Sequence, residues 1–196
     1  MKNPNHPKSG SKILVHPIQN TKDIQSIKTL LSDKPRDLLL FTLGINNGIR
    51  VGDLLQLKVS DLKDLKPGDS IQIKESKTKK NNVLSINKEV HKTLRHFLVT
   101  QNPKDNDYLF KSRQGTRPIT VMYVNRMVKS WCESINLPGN YGAHTLRKTF
   151  GYIQRTKFGV GFEVLCRRFN HSSPAITMRY LGITDQEVYS ILQNEI

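Results

Sequence analysis

The sequence predicts an α+β domain that is mostly helical and carries one small antiparallel sheet. Apolar residues recur at helical spacing along most of the chain, which is typical of amphipathic helices. One pair of short β-branched segments, separated by a lysine-rich turn, is typical of a β-hairpin. A chain of 196 residues with 36 % hydrophobic residues can form the core of a single domain. No apolar run approaches the roughly 18 residues that a membrane-spanning helix requires.

The first twenty residues are predicted to form a flexible basic arm. Residues 1–20 contain three lysines and three prolines but no Asp or Glu, a composition that favours an unpacked segment. The folded domain is therefore expected to occupy residues 21–196.

Two helices are predicted at the start of that domain. The first spans about 21–32, with Thr21 as its N-cap. The second begins at Pro35, a residue suited to a first helical position. It ends at the Asn-Asn pair before Gly48, because these residue types tolerate positive φ.

The remaining elements are a hairpin and a series of helices. Residues 70–75 and 82–87 are predicted as the two antiparallel strands, and residues 107–110 as a short extended segment. Further helices are predicted at about 51–57, 88–100, 120–135, 144–156, 162–170, 174–181 and 185–194.

The charge of the chain predicts a polyanionic partner. There are 31 Lys and Arg against 16 Asp and Glu, which gives a formal net charge of +15. Nucleic acid is the simplest such partner, and an RNA-binding module is disfavoured because aromatic residues make up only 7 %. A membrane surface is disfavoured because neither end forms a basic amphipathic helix with a bulky apolar face.

Cysteine usage and the N-terminus favour the cytoplasm. The two cysteines, Cys132 and Cys166, are too few for a disulfide framework or a cysteine-based zinc site. The polar N-terminus lacks the apolar segment of a secretory signal.

Several short patterns carry candidate chemistry. His144 and Arg147 are three residues apart on a predicted helix, so both side chains can reach one anion. Arg50 follows a glycine turn at a helix start, where backbone amides also favour anions, and Asp53 comes three residues later. Each pattern also occurs on ordinary solvent-exposed surfaces.

Two further patterns complete the set. Lys77 lies in the predicted hairpin turn, where it can reach a DNA backbone, and Lys74, Lys79 and Lys80 lie close by. His171 precedes a Ser-Pro pair that suits the start of a helix, and this helix carries Tyr180.

Taken in order, these residues resemble the catalytic domain of the tyrosine recombinases, the phage integrase family. The resemblance covers about residues 21–190. It is carried by three strings, LGINNGIRVGDLLQLKVSDL, AHTLRKTFG and FNHSSPAITMRYLGIT, and by the order Arg50, Lys77, His144-x-x-Arg147, His171 and Tyr180.

The resemblance implies a nucleophile and an anion clamp. Tyr180 would attack the scissile phosphate and form a 3′-phosphotyrosyl link. Arg50 and Arg147 would bind the non-bridging oxygens, and His171 would donate a hydrogen bond to the same phosphate. Tyr152 and Tyr189 are rival nucleophiles, and Tyr180 is preferred because its spacing from His171 matches the family.

The resemblance also implies the proton transfers. His144 would move a proton to or from the nucleophile, and Lys77 would protonate the leaving 5′-oxygen. Asp53 would orient Arg50 or His144. Lys74, Lys79 and Lys80 compete for the role of Lys77 and are otherwise expected to contact DNA. No metal or other cofactor is expected, because two arginines supply the positive charge.

The chain departs from the family in several places, including Gly151 where Ala is common. The N-terminal core-binding domain that usually precedes the catalytic domain is expected to be absent, either because the chain is a fragment or because it resembles naturally short members such as the fimbrial phase-variation invertases. Phe169-Asn170 replaces the usual Leu-Gly, and Lys148 replaces a common His.

The last helix, 185–194, is expected to fold back on its own domain or to contact a neighbouring protomer in a tetramer on DNA.

The resemblance implies a site-specific recombinase or integrase that acts on double-stranded DNA. It would integrate, excise or invert a DNA segment in the cytoplasm of a bacterial or phage-infected cell. Two alternatives stay open, namely relaxation of DNA by a type IB topoisomerase-like enzyme and a non-catalytic DNA-binding regulator on the same fold.

Overall fold

Nine helices and a two-stranded sheet make up the described part of the chain. The computed structural model describes residues 14–183, together with Gln193 and Glu195. The prediction of an α+β, mostly helical fold is confirmed, whereas the helix predicted at 185–194 falls outside the described residues. The elements in chain order are α1 (Thr21–Leu30), α2 (Pro35–Asn47), α3 (Val51–Leu54), α4 (Val59–Leu62), β1 (Ser70–Lys74), β2 (Asn81–Ser85), α5 (Lys88–Gln101), α6 (Val121–Ser134), α7 (Ala143–Thr156), α8 (Phe162–Phe169) and α9 (Pro174–Leu181).

Most helix ends follow the local signals in the sequence. The Thr120 hydroxyl accepts a hydrogen bond from the Tyr123 amide at 3.1 Å, which caps α6. Gly48 ends α2 in the left-handed conformation with φ of 58°. The first helix differs from prediction, because the Asn20 side chain, and not Thr21, accepts from the Lys22 amide at 2.8 Å.

The segment before α1 is packed onto the domain. Ile18 is fully buried, and its amide donates to Thr149 Oγ1 at 2.8 Å. The His16 carbonyl accepts from Thr145 Oγ1 at 2.9 Å. The prediction of a flexible arm therefore does not hold for residues 14–20, where long-range contacts with α7 replace any local pattern. Residues 1–13 lie outside the described residues.

The main core surrounds α2. Most residues of this helix are buried, and the helix packs against α5 and α7. The Phe41 and Trp131 rings meet edge to face at 6.1 Å between centroids, which joins α2 to α6. None of the described helices combines the length and the apolar character needed to cross a bilayer.

A smaller cluster forms where α8 meets α9. Leu165, Phe169 and Leu181 are buried in it, and Phe150 and Tyr180 pack against them. This cluster places the end of α9 beside α7, which carries His144 and Arg147.

The hairpin projects a short turn at the edge of the domain. Strand β1 pairs antiparallel with β2 from Ser70–Ser85 to Lys74–Asn81, so the prediction of a hairpin is confirmed. The turn comprises residues 75–80. Helix α4 has only four residues, which is too short for an apolar period to show in the sequence.

Candidate active site

Arg147 lies at the centre of the candidate site. Arg147 is only 2 % exposed. Its Nη1 donates to the Gly48 carbonyl at 2.5 Å, and its Nη2 donates to the Phe169 carbonyl at 2.7 Å. The guanidinium carbon lies 4.5 Å from the centre of the Phe169 ring. Burial lowers the pKa of Arg147 to about 10, so the group stays positively charged at neutral pH.

Arg50 is held at the start of α3 by the turn at Gly48. It occupies the N-cap position of α3, and its Nη1 lies 2.5 Å from Glu75 Oε2. The Arg50 side chain is 19 % exposed. Its positive charge contributes to lowering the pKa of Arg147, which is consistent with two arginines that face a common space.

Glu75 is a site residue that sequence reasoning missed. Its side chain is fully buried, and it accepts from Thr78 Oγ1 at 2.5 Å and from Asn82 Nδ2 at 2.8 Å. Burial alone would raise the pKa of Glu75, but hydrogen bonds from Thr78 and Asn82 and the ion pair with Arg50 outweigh it and lower the pKa to about 2. The available signal was a single acid within a stretch of lysines, serine and threonine.

Asp53 contacts the hairpin turn. Its Oδ1 accepts from the Ser76 amide at 2.9 Å, which ties α3 to the hairpin turn. Its buried Oδ2 has no hydrogen-bond partner among the described residues, and no bond from Asp53 to Arg50 or His144 is found there. Arg50 pairs with Glu75, so the role of Asp53 in orienting Arg50 or His144 stays a prediction.

Four of the six predicted catalytic residues line one cavity. The cavity has a volume of about 250 Å³, and Asp53 and Ser76 also border it. Helix α3, the hairpin turn and the start of α7 meet there, although they are distant in sequence. The four residues are Arg50, Lys77, His144 and Arg147.

His144 faces this cavity from the first turn of α7. Desolvation by the surrounding protein, followed by the charges of Arg147, Arg50, Lys148 and Lys77, lowers the pKa of His144. Its imidazole is therefore neutral near pH 7 and can accept a proton.

His171 lies on the connection between α8 and α9. Its Nδ1 is 3.0 Å from Thr177 Oγ1, which orients the ring. Burial, followed by the positive charges of Arg147 and Arg50, lowers the pKa of His171 to about 4. The charges of Arg147 and Arg50 thus lower the pKa of His171 as well as that of His144 in the cavity.

Tyr180 packs beside His171 with its hydroxyl buried. The two rings meet edge to face at 5.2 Å, and the Phe169 ring lies 5.7 Å from Tyr180 on another side. The phenol oxygen forms no well-aligned hydrogen bond with a described residue. Burial raises the pKa of Tyr180 to about 12, although the charges of Arg147 and Arg50 oppose this shift.

The rival lysines and tyrosines are placed differently. Lys77 lines the cavity, whereas Lys74, Lys79 and Lys80 are exposed on the hairpin and are not part of that lining. Tyr152 is half-buried on α7, and Tyr189 lies outside the described residues.

Two departures from the family motif have clear structural consequences. Asn170 ends α8 with φ of 53°, a conformation that Asn tolerates better than most residues other than Gly. Lys148, in place of the common His, places its Nζ 5.1 Å from the centre of the Tyr180 ring. Within the described ranges, no group of three or more His, Cys, Asp or Glu side chains is arranged to hold a metal ion.

The model of the Phage integrase family matches residues 19–187. This chain belongs to the phage integrase family. The match covers most of the chain and includes every residue of the candidate site. Family membership therefore confirms the resemblance and the class, that of the site-specific tyrosine recombinases.

Individual relatives of this phage integrase family member agree with that class. It is 40 % identical over 175 residues to the probable integrase/recombinase YoeC of Bacillus subtilis. The alignment covers 88 % of this chain and 92 % of YoeC. Other curated recombinases that it matches are covered over 49 % to 64 % of their own length.

Solved structures of recombinases confirm the fold. XerA recombinase aligns with a TM-score of 0.74 and 21 % identity over 96 % of this chain and 68 % of XerA. XerH bound to a palindromic difH substrate, in a post-cleavage complex, aligns with a TM-score of 0.72 and 22 % identity over 94 % of this chain and 55 % of XerH.

Proposed function

We propose that this chain is a site-specific recombinase that cleaves and rejoins double-stranded DNA through a 3′-phosphotyrosyl intermediate, for integration, excision or inversion. The observation that carries the proposal is the shared cavity lined by Arg50, Lys77, His144 and Arg147. A nucleophile, Tyr180, lies within the electrostatic reach of both arginines. This combination matches what the displacement of a DNA 5′-oxygen at phosphorus requires.

The cleavage step exchanges one phosphorus–oxygen bond for another. The Tyr180 hydroxyl oxygen bonds to the scissile phosphorus, while the bond from phosphorus to the 5′-oxygen breaks. The phenol proton passes to His144, and Lys77 gives a proton to the departing 5′-oxygen. Because the phosphotyrosyl bond retains the energy of the phosphodiester, rejoining is the same exchange in reverse.

The two arginines would stabilise the negative charge that builds on the phosphate. Each guanidinium is already oriented, Arg147 by two backbone carbonyls and Arg50 by Glu75. Preorganised donors of this kind lower the barrier because they need no rearrangement in the transition state. His171 would donate to the same oxygens once the phosphate raises its pKa.

Tyr180 must leave its buried position before it can attack. Its hydroxyl is shielded from solvent, and its pKa of about 12 keeps it protonated. We infer that DNA binding shifts the end of α9, so that the hydroxyl faces the cavity where His144 and the arginines lie. The small α8–α9 cluster is suited to such a shift because it contains few buried residues.

Phosphate contacts would supply most of the DNA affinity. The net charge of +15 and the exposed hairpin residues Lys74, Lys79 and Lys80 support contact with the DNA backbone. We further propose assembly as a tetramer on DNA in the cytoplasm of a bacterial or phage-infected cell. The apolar spacing of Val188, Ile191 and Leu192 supports contact between the C-terminal segment and a neighbouring protomer.

A nicked suicide duplex that carries the terminal sequences of the protein's own DNA element tests the proposal. The nick lets the cleaved fragment diffuse away, so a covalent protein–DNA adduct accumulates and is seen on a denaturing gel. We expect an adduct with the wild type and with Tyr152→Phe and Tyr189→Phe, and none with Tyr180→Phe.

The alternative functions give different results in the same assays. Relaxation of any supercoiled plasmid without site preference would favour the topoisomerase-like enzyme. Binding of the duplex without any adduct would favour the non-catalytic regulator. An unchanged adduct yield with Tyr180→Phe would refute the assignment of the nucleophile.

A further inference from the structure

A buried hydrogen-bond network centred on Glu75 connects the segments that carry the candidate catalytic groups. We propose that Glu75 is a positioning residue that holds the hairpin turn, and with it Lys77, in a fixed place relative to Arg50. This inference rests on the proposed function and adds a residue to it. Glu75 acts through Lys77 and Arg50 and does not itself contact the DNA.

The first connection is the ion pair with Arg50. Glu75 Oε2 lies 2.5 Å from Arg50 Nη1, and the Glu75 side chain is fully buried. A buried carboxylate is costly unless it is paired and hydrogen-bonded. The pair therefore fixes the hairpin and the start of α3 relative to each other, because separating them would leave the buried Glu75 carboxylate without its cationic partner.

The second connection is to the turn that carries Lys77. Thr78 Oγ1 donates to Glu75 Oε2 at 2.5 Å, and the Lys79 amide donates to the Glu75 carbonyl at 2.9 Å. On the other side of Lys77, the Ser76 amide is held by Asp53. The backbone of the turn is thus held on both sides of Lys77. Lys77 itself is exposed and lines the cavity.

The third connection reaches α8. Asn82 Nδ2 donates to Glu75 Oε1 at 2.8 Å, and Arg168 Nη1 donates to Asn82 Oδ1 at 2.8 Å. Arg168 also donates to the Asn47 carbonyl, next to the glycine turn before Arg50. Glu75 therefore belongs to one continuous network that includes the hairpin, the end of α2 and the helix before His171.

The network predicts which chemical step depends on Glu75. A general acid works only within hydrogen-bond reach of the atom that it protonates, and lysine reaches it on a long, flexible side chain. If the turn loosens, Lys77 loses its position while the buried Arg147 keeps its own carbonyl partners. Loss of Glu75 should therefore slow protonation of the leaving oxygen more than it weakens phosphate binding.

A substrate with sulfur in place of the leaving 5′-oxygen separates these effects. A thiolate leaves without a proton, so the reaction no longer needs Lys77, while the phosphate and its charge are unchanged. We would measure the rate of adduct formation on the oxygen and sulfur suicide duplexes. The variants are Glu75→Gln, Thr78→Val and, as a matched loss of a carboxylate, Glu89→Gln. Glu89 lies on α5 and pairs with Lys28 of α1.

The expected pattern is specific to a positioning role. On the oxygen substrate, Glu75→Gln should slow adduct formation about 30-fold and Thr78→Val about threefold to tenfold, while Glu89→Gln reacts at the wild-type rate. On the sulfur substrate, the deficit of Glu75→Gln should shrink at least tenfold, and Thr78→Val should match the wild type.

Equal deficits on both substrates would overturn the proposal, as would wild-type rates for Glu75→Gln on the oxygen substrate. Thr78→Val keeps the Arg50–Glu75 pair, so it decides the question even if Glu75→Gln does not fold. If the wild type forms no adduct on the oxygen substrate and none on the sulfur substrate, the proposed function itself is refuted.

Discussion

Replacing Gly48 by alanine tests how the turn between α2 and α3 supports the site. Gly48 has φ of 58° and ψ of 27° at the end of α2, a region where an alanine costs about 1–2 kcal/mol. A Cβ there would lie 2.3 Å from Phe150 Cδ1. The Phe150 ring is in turn packed edge to face on Phe169 at 6.0 Å, so it cannot simply move away.

The expected loss combines both effects. Overpacking of a well-packed site typically costs about 1–3 kcal/mol, so Gly48→Ala should lower the free energy of unfolding by about 2–5 kcal/mol in total. For a domain of this length, about 2–4 °C of melting temperature is lost per kcal/mol. The Gly48 carbonyl also accepts from Arg147, so adduct formation should fall as well.

Gly182→Ala is the matched control for backbone conformation. Gly182 ends α9 with φ of 74° and ψ of 22°, and its Cβ would meet nothing within 4 Å among the described residues. It should therefore lose only about 1–2 kcal/mol. Thermal melts and urea titrations of both variants give the comparison, and equal losses would refute the argued collision with Phe150.

Three further predictions follow from the charged groups of the site. The Arg147→Lys variant loses the planar fork that binds the Gly48 and Phe169 carbonyls. The free energy of unfolding should therefore fall by about 1–3 kcal/mol, and adduct formation should fall at least 100-fold. Near wild-type values in both assays would contradict this. Because burial lowers the pKa of His171 from 6.5 to about 4, the unfolded chain takes up a proton that the folded chain does not as the pH falls below 6.5. Stability should thus drop by up to about 2 kcal/mol from pH 7 to pH 5, and His171→Gln should show a smaller drop in melts over that range; an equal drop would argue against the shift. DNA affinity, measured by fluorescence anisotropy, should fall at least tenfold between about 50 and 200 mM salt, and a flat response would contradict the phosphate-contact argument.

Local sequence signals account for much of the secondary structure. Thr120 and Gly48 define helix ends through contacts within a few residues, so their roles can be deduced from the sequence. The hairpin is similarly local, because its strands are separated by only a short turn. Family motifs then identified the residues that share the cavity, although no local argument could show that they meet.

Long-range contacts explain what the sequence did not predict. Ile18 is buried through partners on α7, more than one hundred residues away, so nothing near residues 14–20 indicates that they are packed. The choice of Glu75 over Asp53 as the partner of Arg50 depends on how the hairpin meets α3. Spacing in the sequence favours Asp53, which is three residues from Arg50, and only the three-dimensional placement identifies Glu75.

The anchoring of Arg147 by main-chain oxygens affects how freely the surrounding sequence can vary. A carbonyl acceptor is available whatever side chain its residue carries, so positions 48 and 169 can supply the two bonds provided that the backbone path is kept. Asn170, in a left-handed conformation, keeps that path without glycine. In a mutagenesis library, a Phe169 substitution that keeps both this path and the packing on Phe150 and Tyr180 should thus keep its bond to Arg147, and changes that alter the backbone at these two turns should inactivate the protein.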